Sequence, residues 1–171
     1  MRLKESVMSQ LNDFRAWSAT GAAPGPISLF DYVGFIATID SLFGFAALFL
    51  PDLVVHDGLR FLASGFSGET YDAWVREGKT PHEIQRVMNH VHISTLLQQQ
   101  EVSDEAAVEA ARVIAEIWSR TLGTEGLIAE AVGTGFADAA ITFYEGAGRR
   151  DAAAPSGSCS DGAEGAPIRS S

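Results

Sequence analysis

The chain has 171 residues, 46% of them apolar and 20% charged, enough for one domain with its own core and too apolar for a disordered chain. Its 22 acids against 12 bases leave a formal charge of −10, which repels phosphate backbones and argues against a nucleic-acid partner. The single cysteine, Cys159, excludes an intramolecular disulfide and suits a reducing, cytoplasmic compartment, and the first residues carry no secretory signal pattern.

Leu3, Val7, Leu11 and Phe14 recur at helical spacing and predict an amphipathic helix over residues 2–18. Residues 20–26, rich in Gly and Pro, read as a linker. From residue 28 to 50 the chain is almost continuously apolar. That length could span a bilayer, but Asp31 and Asp40 would each cost roughly 2.5–3.5 kcal/mol at mid-membrane. No basic cluster flanks the run. It reads as one long buried core helix, opened by a Ser28/Asp31 capping box and closed by Pro51.

Asp57-Gly58 lies between two short β-prone runs and predicts a type I′ hairpin over Leu53–Leu62, with His56 opposite Leu59 and Val54 opposite Phe61. Tyr71, Trp74 and Val75 share one face of a helix over 69–77, with Gly78 at its C-terminal cap. Thr80-Pro81-His82-Glu83 is a complete helix start, and the helix is expected to run toward Gln100. Val108, Ala111, Ala115, Trp118 and Leu122 mark a helix over 104–122. The spacing of Ile128, Val132, Phe136, Ala139 and Phe143 predicts a last helix over 125–145. Gly126, Gly133 and Gly135 weigh against it by about 1 kcal/mol each. The predicted fold is therefore mainly α: a compact bundle of about five or six helices with one small hairpin. Residues 1–148 form its single domain, with a core over 27–145, and residues 149–171 a disordered tail.

On a helical wheel Asp40 falls within the apolar stripe of Leu29, Val33, Ile36, Phe43 and Ala47. A buried carboxylate needs a partner, such as Arg60, or an aqueous pocket. His92 borders the apolar face of the next long helix, and His90 projects on the side of Glu83 and Arg86. Beyond His92 the apolar residues switch side to Ile93, Leu96 and Leu97, so this helix is buried on two faces or bends between Asn89 and His92. Asp40 and His92 would anchor a pocket between the two helices, with His90, Arg86 and Asn89 beside it. Acid–base work by a carboxylate-oriented histidine is the simplest chemistry for such a pocket. No metal-ligand pair, cofactor fingerprint or activated nucleophile is visible, so neither metal nor cofactor is expected and catalysis is not the leading expectation.

Between Glu101 and Gly148 there are nine acids and two arginines. The leading expectation is a protein-interaction module that binds a basic protein through Glu105, Glu109 and Glu116 on the C-terminal helices. A small-molecule site around Asp40 and His92 is the alternative, and a structural, self-associating role the third. No membrane partner is expected.

Overall fold

The computed structural model describes residues 5–21, 28–98 and 101–146; residues 22–26 of the predicted linker and the predicted tail, with Cys159, lie outside them. The fold is mainly α, with eight α-helices and two small sheets among the described residues. It departs from the predicted five- or six-helix bundle at four places.

The described part of the first predicted helix forms two short ones, α1 (Glu5–Met8) and α2 (Asn12–Ala19). The long apolar helix is also two, α3 (Leu29–Ile36) and α4 (Ile39–Phe49). Ser28 and Asp31 form the expected capping box. A second box then interrupts the apolar run: Ser41 N–H donates to Thr38 Oγ1 at 3.1 Å, and Thr38 N–H donates to Ser41 Oγ at 2.9 Å. These reciprocal bonds satisfy the donors that a helix start orphans, so a new helix begins where hydropathy shows no break. α3 rests on α2 through aromatic rings, with Tyr32 and Phe35 centroids 5.4 and 5.5 Å from Trp17. α4 is tied to the body at its far end, where Trp118 Nε1–H donates to the Leu48 carbonyl at 2.8 Å.

The hairpin β1 (Leu53–His56) and β2 (Leu59–Leu62) has the predicted register, His56 opposite Leu59 and Val54 opposite Phe61. Asp57 and Gly58 take φ of 50° and 75°, as a type I′ turn demands. α5 (Gly68–Arg76) ends with a reversal at Gly78, where Gly78 N–H reaches Val75 O and Lys79 N–H reaches Trp74 O. α6 (Pro81–Met88) starts on the predicted Thr80/Glu83 box but stops at Asn89. The chain then forms β3 (Val91–His92) and a single turn, α7 (Ile93–Leu96). The switch of apolar side at His92 marks the end of a helix and the start of an edge strand.

α8 (Asp104–Thr121) buries Ala111, Ala115 and Trp118 of the expected stripe. The predicted helix over 125–145 is instead a hairpin, β4 (Leu127–Val132) and β5 (Ala140–Glu145), in a sheet ordered β3-β5-β4. The i, i+4 spacing misleads because β pairing separates what a helix would align. Phe143 is buried against α8, while Ile128, opposite Tyr144 on the other face, stays 46% exposed. Gly133 shows why this segment turns back on itself: its φ is 91°, and a Cβ there would lie 2.2 Å from the Asp138 carbonyl oxygen.

The main core lies between α8 and one face of the three-stranded sheet, with Trp118, Ile141, Phe143 and Ile93 at its centre. A smaller core joins Leu59, Phe61, Tyr71 and Ile84, where the first hairpin meets α5 and α6. α6 covers the opposite face of β5, and Thr142 Oγ1 donates to the Arg86 carbonyl at 2.6 Å.

Candidate functional site

Asn89 and Gln85, one turn apart on α6 and both 0% exposed, join the two sheets. Asn89 Oδ1 accepts from Leu62 N–H at 2.9 Å, while its Nδ2 donates to the Arg60 and Phe143 carbonyls at 3.1 Å each. Gln85 Nε2 donates to the same Arg60 carbonyl at 3.0 Å, and its Oε1 accepts from Glu145 N–H at 2.8 Å. These amides meet the backbone groups that β2 and β5 would otherwise leave unpaired in the interior. Asn89 therefore bridges the two sheets from a fully buried position.

The structure does bring three of the candidates together. Arg86, His90 and His92 gather at the α6 side of the sheet, next to Glu130 and Tyr144. Arg86 pairs with Glu130, and its guanidinium lies 5.0 Å from the centre of the Tyr144 ring. Tyr144 Oη donates to Glu130 Oε2 at 3.2 Å, and the His82 ring meets Tyr144 edge-on at 4.7 Å. The His90 and His92 rings stack with centroids 4.7 Å apart and planes 20° from parallel. Burial holds His90 below the ordinary histidine value, and the nearby His92 and Arg86 push the same way. Its Nε2 is buried without a hydrogen-bond partner. Glu130, the acid of this cluster, is bonded by Arg86 and Tyr144. Among the described residues, no group of three or more His, Cys, Asp or Glu side chains could hold a metal ion. Glu130 and Tyr144 were missed in sequence because they sit in strands read as helix. The Ile, Thr, Phe and Tyr run of β5 is the signal that favours a strand there.

Asp40 is not in a buried stripe. It lies exposed in the first turn of α4, a helix without a single buried residue. Arg60, its expected partner, instead bonds Glu125 and Glu145 at 3.0 Å each. The wheel assumed one continuous helix and a buried apolar face, whereas the run breaks at Ala37 and Thr38 and neither helix buries a residue.

The acidic residues are likewise occupied. Glu109 is 2% exposed and held by two bonds from Arg112, at 2.8 and 2.7 Å. Glu116 pairs with Arg112 and Arg120. Glu105 accepts from Ser6 and Gln10, which docks α1 on α8. Asp104 accepts from Phe136 N–H, and Asp138 from the Thr134 and Gly135 N–H groups, which lower its pKa. With Glu125, Glu130 and Glu145 paired to Arg60 and Arg86, the excess of acid in this third of the chain largely serves the fold.

The largest unsatisfied feature is apolar. From Phe30 to Leu50, nine large apolar side chains are between 44% and 85% exposed, and neither α3 nor α4 buries any residue. Beside this arm lies a groove of about 450 Å3, floored by Phe45, Leu48 and Phe49 of α4, Ile93 and Leu97 at α7, and Ile114 of α8. A second, of about 570 Å3, opens on the other side of Leu48 and Leu96, toward Pro51, Leu62, Val91 and Trp118. The first is lined by Ser41 and Ile93, the residues that follow Asp40 and His92, so the predicted position between the two segments holds a cavity without either polar anchor. Among the described residues, no helix is long and apolar enough to cross a membrane. Comparison with protein-family models, curated proteins and solved structures finds no match.

Proposed function

We propose that this chain is a protein-interaction module whose contact surface is the α3–α4 arm and the grooves beside it. The observation behind this reading is the arm's exposure: a helix that is apolar all round belongs in an interior or an interface, and here it faces solvent. Single monomers rarely expose contiguous apolar patches beyond about 300–600 Å2. The acid-rich helix α8, with Glu105, Glu109 and Glu116 engaged internally, is a weaker candidate for the contact surface.

The reading is tested by replacing Phe35 and Phe43 together with Asp. Both are exposed, at 66% and 69%, so the double variant should stay folded, with far-UV circular dichroism at 25 °C matching the parent. A variant that has lost its folded spectrum would place the arm in the chain's own core and end the proposal.

An apolar small-molecule site is a second reading, favoured by the volume and lining of the 450 Å3 groove. Saturable binding of a fluorescent alkyl probe, abolished by Ile114→Glu, would support it. Non-saturable binding that ignores this substitution would remove it.

A further inference from the structure

Resting on that reading, we infer that the surface covering the arm is a second copy of this chain, in a two-fold dimer built on α3–α4 of both protomers. The area fits. With large aromatic side chains covering about 150–250 Å2 each, four exposed phenylalanines and five aliphatic residues present on the order of 1,000 Å2. Burying that surface on both protomers removes roughly 2,000 Å2, the size of a stable homodimer interface. The composition fits as well: Phe30, Phe35, Phe43 and Phe45 supply the aromatic content that interface centres favour.

The surface is also self-complementary. Exposed rings such as Phe43 project from the same region that carries the two apolar grooves, so one copy offers both the knob and the hole that a two-fold contact requires. Side chains added at Gly34 or Gly44 would meet nothing within 4 Å, which leaves room for a facing helix to approach closely.

Other occupants fit less well. Residues 28–50 contain Asp31 and Asp40 and no Lys or Arg, whereas helices that lie on membranes carry a basic polar face. A chain of charge −10 is repelled by anionic lipid. Residues 147–171 hold Ile168 as their only large aliphatic side chain, too little to cover such a patch from within.

The test is the mass of the full chain by light scattering and sedimentation equilibrium at micromolar concentration. A dimer, twice the 18.2 kDa of the chain, is expected, with the Phe35→Asp/Phe43→Asp variant dissociating about 100-fold more readily. A dimer indifferent to both substitutions would overturn the inference by placing the contact elsewhere. A monomeric parent would overturn it too, and a hydrophobic dye then separates two cases. Dye fluorescence that the double variant loses means a free apolar arm, so the interaction reading survives; absent fluorescence ends both. Binding of the monomer to vesicles of phosphatidylcholine and phosphatidylglycerol would make the arm a lipid contact, against both proposals. As an independent test, Phe43→Cys is made in a Cys159→Ser background. Efficient cross-linking of two copies by a short bis-maleimide supports the dimer, and its absence at concentrations where the chain is dimeric counts against this interface.

Discussion

Helix α8 and the α3–α4 arm both carry apolar residues, and these meet opposite fates. α8 gathers its apolar residues on one stripe, buries Ala111, Ala115 and Trp118 against the sheet, and keeps an Arg112–Glu116–Arg120 ladder outside. The arm spreads Phe, Leu and Ile around its circumference and buries none of them. A stripe has one face to satisfy and one core satisfies it. A helix apolar on every side needs neighbours on every side, more than a chain with this core supplies.

The largest effects should separate these regions. Trp118→Ala removes a ring that is 1% exposed and a bond to Leu48, and should cost about 3–5 kcal/mol in urea unfolding. Phe43→Ala, at a ring 69% exposed on the chain, should stay within about 0.5 kcal/mol of the parent. Equal costs for the two would erase the distinction between core and arm.

A smaller loss should follow Asn89→Ala. It strands the buried Leu62 N–H, worth roughly 1–3 kcal/mol if left unmet, while Gln85 still reaches the Arg60 carbonyl. Hydrogen exchange should show the Leu62 amide losing protection first; an unchanged Leu62 amide would mean that the amide side chain is not what joins the sheets.

The smallest effect is a pH dependence confined to the histidine pair. Burial chiefly holds the His90 pKa below the ordinary histidine value of about 6.5, so the unfolded chain binds this proton more readily than the folded one. Its contribution is complete above 6.5 and is lost as pH falls from there through the folded value. Melting temperatures followed downward from pH 7.5 should decline through this range, and His90→Gln should flatten that part of the profile. A profile that keeps its slope in His90→Gln would assign the titration elsewhere.

Much of this fold is legible in the chain itself. The Asp57-Gly58 turn set the hairpin register, the Ser28/Asp31 and Thr80/Glu83 boxes marked helix starts, and the stripe of α8 included its buried Ala111, Ala115 and Trp118, because each depends on chemistry within a few positions. The candidate site was less legible: Asp40 lies exposed on α4, and the apolar groove beside this helix has neither Asp40 nor His92 in its lining. Spacing alone could not distinguish the β4–β5 hairpin from a helix, since its strands are stabilised by pairing with each other and by α8, which lies outside any local window. Nor could composition tell whether the run from residue 28 to 50 lies inside or outside. Apolar residues report that a surface will be covered, and only the packing of the remaining elements decides whether this chain's own core has room to cover it.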